Sequence, residues 1–276
     1  MTFISYAQNF EDIRLWRALK HVEKGLYIDV GANHPTADSV TRAFYDRGWS
    51  GINVEPVPSY YDALCQERPR DTNLQCAAGD NAEALTFYGI ADTGLSTLDP
   101  AIAQQHKDAG MPVQTQIVSS RTLSDICEAH VDGPIHFLKI DVEGHEETVL
   151  RSMDFSRWRP WILLIETPWN RDQAWEPLVT GAGYHPVVFD GINTFYLAEE
   201  HLNLKGAFDI PPCNLDEFQF NPGHRFVAPA TDLEQALIAE RQRADRAEAE
   251  LHALRNSRSW RAIEKLKKVL VRGGRH

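Results

Sequence analysis

A chain of 276 residues with 43% hydrophobic and 24% charged side chains has room for one large α/β domain plus an appendage, around an ordinary globular core. The net charge of −11 is unevenly spread: residues 255–276 hold eight Lys or Arg against one Glu, a local +7, which leaves −18 for residues 1–254. An acidic body of that size repels phosphate backbones, which excludes nucleic acid as a partner of the main domain.

Residues 9–20 predict a first helix, with Asn9 as its cap, Asp12 at the third helical position, and Phe10, Ile13, Leu15 and Trp16 as apolar contacts. Strand-like runs follow at 26–30, 51–55, 73–77, 135–140 and 161–166, separated by helical patterns at 38–47, 58–67, 123–129 and 146–153. Apolar strands alternating with helices predict a parallel sheet covered on both faces. The insertion 84–120 holds two extended runs, 85–90 and 113–118, around a polar, turn-rich segment, and is expected to add antiparallel strands or a lid. Residues 185–190 and 193–197, turning at Gly191, read as a hairpin.

Beyond a main domain at 1–200, residues 201–230 have no clear period and read as a packed or loose connector. From Thr231 a long helix is expected: Leu233, Leu237, Ala244, Ala247, Leu251 and Leu254 share one seam, interrupted at Glu240. It would either pair copies of the chain as a short coiled coil or dock on its own domain. Trp260, Ile263, Leu266 and Leu270 then form a stripe among basic residues, suited either to an anionic membrane surface or to a solvated tail. Cys65, Cys76, Cys127 and Cys213 lack any Cys-x-x-Cys spacing, which argues against a zinc site or a disulfide framework. With no signal-peptide core and no bilayer-spanning stretch, the expectation is a soluble, cytoplasmic protein, peripheral to the inner face of the membrane if the basic tail binds there.

Two runs locate a ligand. Tyr27-Ile28-Asp29-Val30-Gly31-Ala32-Asn33 is an apolar strand ending in a glycine turn, and Ile52-Asn53-Val54-Glu55-Pro56 is a second ending in a carboxylate. A tight turn on one parallel strand and an acid at the tip of the next form a nucleoside crevice, with Glu55 placed to accept both ribose hydroxyls. The turn Gly31-Ala32-Asn33-His34-Pro35-Thr36 has one glycine, and a proline where a phosphate-cradling helix would start. The pyrophosphate site of a dinucleotide fold is therefore missing, which disfavours a nicotinamide oxidoreductase. S-adenosylmethionine (SAM), a cationic sulfonium nucleoside without phosphate, fits instead. A parallel sheet closed by an antiparallel hairpin is also the methyltransferase variant of the doubly wound fold. The predicted class is thus α/β, a Rossmann-like class I sheet with a C-terminal helical extension.

A third run, Phe137-Leu138-Lys139-Ile140-Asp141-Val142-Glu143-Gly144-His145-Glu146, ends a strand beside the glycine-turn strand, and Glu166 ends the next. Buried strand tips tolerate such acids only when they are paired, hydrogen-bonded or metal-bound. These segments, with Tyr6-Ala7-Gln8-Asn9-Phe10-Glu11-Asp12 and Leu95-Ser96-Thr97, resemble the FkbM-type methyltransferases over about residues 5–200. The resemblance implies a SAM-dependent O-methyltransferase acting on hydroxyls of sugars, polyketides or related metabolites. It places Asp29, Gly31 and Asn33 at the methionine part of SAM, Glu55 at the ribose and Asp80 near the adenine. The tail Asn256-Ser257-Arg258-Ser259-Trp260-Arg261 is similar to endings of bacterial surface-glycan glycosyltransferases, which points to a glycan or glycolipid acceptor.

A sugar hydroxyl is a poor nucleophile near neutral pH and needs help to lose its proton. In one mechanism Asp141 and Glu166 hold Mg²⁺, which binds the acceptor oxygen; in the other no metal takes part and His145 or Asp141 takes the proton. His145 could equally cap the next helix, His34 beside the turn is a further candidate, and Lys139 is expected to pair with a carboxylate. The competing function is a non-catalytic assembly factor, a SAM fold whose C-terminal helix recruits glycan enzymes to a membrane.

Overall fold

The computed structural model describes residues 2–90, 93–167 and 173–227, together with 236–237, 239–244, 246–247 and 251. The chain divides into two compact units, Met1–Val227 and Ala228–His276. In the second, the described residues are helical, and Leu237 and Leu251 are exposed. Leu233, Leu254 and the basic stripe from Trp260 lie outside the described residues. No described helix is long and apolar enough to cross a membrane.

The first unit opens with strand β1 (Phe3–Ser5) and helix α1 (Glu11–Leu19), then alternates β2 (Leu26–Val30), α2 (Arg42–Asp46), β3 (Ser50–Val54), α3 (Pro58–Glu67) and β4 (Thr72–Leu74). Next come β5 (Ala77–Ala78), β6 (Ala84–Ile90), α4 (Pro100–Asp108), β7 (Val113–Arg121) and α5 (Leu123–His130). The unit closes with β8 (Phe137–Ile140), α6 (Glu146–Arg151), β9 (Ile162–Glu166), α7 (Glu176–Gly181), β10 (Tyr184–Phe189), β11 (Asn193–Ala198) and β12 (Phe218–Phe220). Seven strands form the central sheet in the order β10-β11-β9-β8-β2-β3-β4, parallel from β9 through β4. β11 runs antiparallel to both neighbours, the closing hairpin that the sequence predicts. This is the class I methyltransferase sheet.

Alternation of buried residues explains its two layers. Ile28, Val30, Leu138, Ile140, Leu163 and Ile165 face α5 and α6 through Leu123, Ile126, Val149 and Leu150. The intervening Tyr27, Phe137, Ile162 and Leu164 face Leu15 and Leu19 of α1 on the other side. Chain order reverses at β2, which pairs with β3 on one edge and β8 on the other, so the crevice opens at the carboxyl ends of these strands.

Two local features differ from expectation, and a third decides an open alternative. Asn9 does not cap α1: Phe10 holds that position at φ 65° with no capping side chain, and the Asn9 amide donates to the Asp190 carbonyl. Asp12 instead accepts from Ser5 Oγ and from the Tyr6 and Ala7 N–H groups, tying α1 to the end of β1. The insertion forms the expected antiparallel pair, β6 with β7, but its polar middle is the helix α4. Asp99 caps α4 by accepting from the Ala101 and Ile102 N–H groups, and Pro100 fixes the first turn. Residues 201–227, aperiodic in sequence, belong to the first unit, where β12 pairs in parallel with β1.

Candidate active site

At the end of β2 the chain turns at Gly31 with φ 76°. A Cβ there would lie 1.9 Å from the Asp141 carbonyl oxygen, so only glycine lets the tips of β2 and β8 close on each other. Asn33 is left-handed too, and its N–H donates to Glu55 Oε2 at 2.7 Å. The Val57 N–H donates to Glu55 Oε1 at 2.8 Å. Glu55 is 4% exposed, and burial pushes its carboxyl up to about 7 against those two donors. One lone pair on each oxygen is left for a ligand hydroxyl.

The register of β2 with β8 sets Asp29 opposite Lys139. Lys139 Nζ lies 3.2 Å from Asp29 Oδ1 and 3.3 Å from Asp141 Oδ2, and donates to the Gly31 carbonyl at 3.0 Å. Burial pulls the ammonium down, but the Asp29 and Asp141 charges outweigh it and hold the group above its ordinary value. Lys139 is therefore a fixed cation between two acids, in the pairing role expected of it.

Asp141, Glu143 and Glu166 converge beside it, one carboxylate oxygen of each lying within 4.8 Å of the others. Burial and then the charges of Asp141, Glu143 and Glu146 push the Glu166 carboxyl up to about 10. Glu166 Oε2 is buried with no hydrogen-bond partner among the described residues. Burial and these neighbouring charges both disfavour the ionised form, so near neutral pH the Glu166 carboxyl favours its protonated form.

These groups line one cleft of about 760 Å³, in the range of small-molecule sites. Asp29, Gly31, Asn33, His34, Glu55, Asp141 and Glu166 are all in its wall. His34 Nδ1 accepts from the Thr36 and Ala37 N–H groups, which leaves the ring hydrogen on Nε2. Asp80 and His145 are not in the described wall. Asp80 is exposed, and Cys76, Ala77 and Ala78 line the cleft at that end. His145 occupies the N-cap position of α6 without making a capping bond, and its Nε2 is buried unpartnered. Burial lowers its pKa, and the charges of Asp80 and Asp99 oppose the shift.

Several wall residues had no individual role in the sequence reading. The loop at 93–98 closes one side, held by Thr97 Oγ1 donating to the Glu143 carbonyl at 2.7 Å and by paired backbone bonds between Thr97 and Tyr88. Glu11 lies opposite, 1% exposed, accepting from the Asn9 N–H and the Asn193 amide; burial, then the Asp190 charge, pushes it up to about 8. Glu11 stands in the Tyr6–Asp12 run of the sequence, but an acid in the first turn of a helix carries no local signal of a site. Arg225, paired with Asp38 at 2.6 Å, reaches the wall from a segment without periodicity.

None of the curated proteins compared matches the chain. Among solved structures, a TehB-like SAM-dependent methyltransferase from Corynebacterium glutamicum is similar at 9% identity and a TM-score of 0.37, over 68% of this chain and 87% of that one. The family model "Methyltransferase FkbM domain" matches residues 29–202, a span that takes in the glycine turn, Glu55, the insertion, the acid trio and the closing hairpin. With that match and this sheet, the chain belongs to the FkbM methyltransferase family, whose class of reaction is SAM-dependent methylation.

Proposed function

We propose that the protein methylates a hydroxyl oxygen, and that the hydroxyl belongs to a sugar of a bacterial surface glycan or glycolipid. The observation that carries this reading is the meeting, in one cleft, of a nucleoside cradle at the β2 and β3 tips with three converging carboxylates at the β8 and β9 tips. SAM supplies an electrophilic methyl carbon on a cationic sulfonium. The residues fit it: the wall is rich in carboxylates, the Gly31 turn has no room for a side chain, and Pro35 stands where a phosphate-binding helix would begin.

In this reading Glu55 accepts the ribose hydroxyls. Asp29, Gly31 and Asn33 hold the methionine end, and Cys76–Ala78 border the base. On the acceptor side Asp141 takes the hydroxyl proton, its carboxylate oriented by Lys139. Glu166, protonated, donates a hydrogen bond to a neighbouring sugar oxygen, while Gln8, Glu11 and Asn193 offer further polar groups. Alignment of hydroxyl and methyl in this cleft supplies much of the acceleration. Asp141, Glu143 and Glu166 would alternatively hold Mg²⁺, a hard cation suited to oxygen ligands, which lowers the pKa of a bound hydroxyl. The proton then leaves Glu166. We favour no role for His145 as base, because its ring is not part of the wall. The glycan assignment is supported by the polar acceptor side and by the glycosyltransferase-like tail at 256–261.

Incubation with SAM and a panel of neutral sugars and glycolipids, read by mass spectrometry, tests this. A sugar gaining one CH₂ is the expected result. Transfer to phenols or amines but to no sugar would overturn the acceptor assignment. Full activity in chelator would eliminate the metal route and leave Asp141 as the base.

A further inference from the structure

Behind Asp29, away from the cleft, lies a charged pair that stability alone does not explain. Arg68 and Asp71 form an ion pair at 2.7 Å with both side chains fully buried. Asp71 also accepts from the Gly51 N–H, the Asn53 amide and the Tyr27 hydroxyl. Arg68 Nη2 donates to that same Tyr27 oxygen at 2.6 Å. A buried pair of this kind is often replaceable by apolar side chains with no loss of stability, so its retention calls for another reason.

Two of the arginine's contacts lead outward, the longer from Nη1 to Ser39 Oγ of the cleft wall at 3.4 Å. The same Nη1 donates to Thr41 Oγ1 at 2.9 Å. Because the guanidinium has only donors, the threonine hydroxyl must point its single hydrogen elsewhere, and Asp29 Oδ2 receives it at 2.9 Å. Thr41 is fully buried, so no water competes for that hydrogen. The other Asp29 oxygen is the one facing Lys139 Nζ. The Asp29 carboxylate is thus gripped from opposite sides, by a hydroxyl polarised from within the core and by an ammonium in the cleft.

We propose that Arg68 and Thr41 are positioning residues: the relay from Arg68 through the Thr41 hydroxyl fixes the carboxylate of Asp29 and thereby sets affinity for the methionine end of SAM. This inference rests on the cofactor reading given above. Neither residue lines the cleft; Thr41 acts through Asp29, and Arg68 through Thr41, its contact to the wall residue Ser39 being the longer one. Charge-assisted bonds in a water-free setting are among the stronger hydrogen bonds, and the cooperative chain strengthens the last of them.

The test is SAM titration by calorimetry into the full chain and into Thr41→Val, Thr41→Ser, Arg68→Lys and Asp29→Asn, with the double variant Thr41→Val/Asp29→Asn. Thr41→Val is expected to weaken SAM about tenfold, and Thr41→Ser, which keeps the hydroxyl, to stay within about threefold of wild type. Arg68→Lys retains the charge but loses the fork, and should fall between the two. In the Asp29→Asn background Thr41→Val should cost nothing further. A Thr41→Val protein with lowered thermal stability but unchanged SAM affinity would overturn the relay, as would full additivity in the double variant. If the wild-type chain binds SAM while these variants match it, the relay alone fails. If the wild-type chain binds no SAM, the cofactor reading fails and takes the relay with it.

Discussion

Replacing Glu166 by Gln should stabilise the protein, and the gain should grow with pH. The Glu166 carboxyl sits at about 10 in the folded chain against an ordinary value of 4.5. A folded-state value raised above the unfolded one contributes stability fully below about pH 4.5, and that contribution is lost as pH rises through about 10. At pH 7 the folded protein retains a proton that the unfolded chain releases. At 1.36 kcal/mol per pH unit, the gap between 4.5 and 7 costs the wild type about 3 kcal/mol. Glutamine keeps the shape and removes the titration. Urea unfolding of both proteins in chelator, at pH 5, 7 and 8.5, reads this directly. The two should be nearly equal at pH 5, the variant ahead by about 3 kcal/mol at pH 7 and by more at pH 8.5. Parallel pH profiles would refute the argument that Glu166 is held neutral. The same logic makes Mg²⁺ binding, if it occurs there, tighten with pH, because the metal must displace that proton.

Three further outcomes follow from the geometry. Gly31→Ala must adopt φ 76°, at about 1–2 kcal/mol, and push the Asp141 carbonyl aside, so melting temperature and SAM affinity should both fall; wild-type values for both would contradict the close approach. Lys139→Met strands Asp29 and Asp141 without their shared cation and should cost about 3–5 kcal/mol in chemical denaturation at pH 7, whereas a loss under 1 kcal/mol would show that the acids do not depend on it. Asp99→Ala removes the α4 cap and should cost about 1 kcal/mol, seen as faster hydrogen exchange confined to the first turn of α4; unchanged exchange would mean that Pro100 alone holds that turn.

The sheet was legible because its strands announce themselves: β2 falls at 26–30 as expected, and the acid tips of β8 and β9 lie where apolar runs end in carboxylates. Gly31 and Glu55 were legible for the same reason, each terminating a strand that only one topology brings to a common edge. What escaped was either held by long-range contacts or masked by a local rule. β12 depends on pairing with β1, more than two hundred residues away, and no periodicity in its own segment betrays it. Glu11 stood in the Tyr6–Asp12 run without a role of its own, and α4 was hidden in a polar stretch whose Asp99-Pro100 start signal went unused. The family resemblance implied Asp80 near the adenine, and the run after β8 offered His145 as a base. The turn after β5 and the start of α6 carry them outside the described cleft wall.

Calorimetric titration of SAM into the full chain and into Glu55→Ala, side by side, meets the central claim head on. A single saturable site in the wild type, weakened tenfold or more in the variant, is the predicted pair of curves. A flat wild-type trace, or equal affinities in the two proteins, would contradict the account.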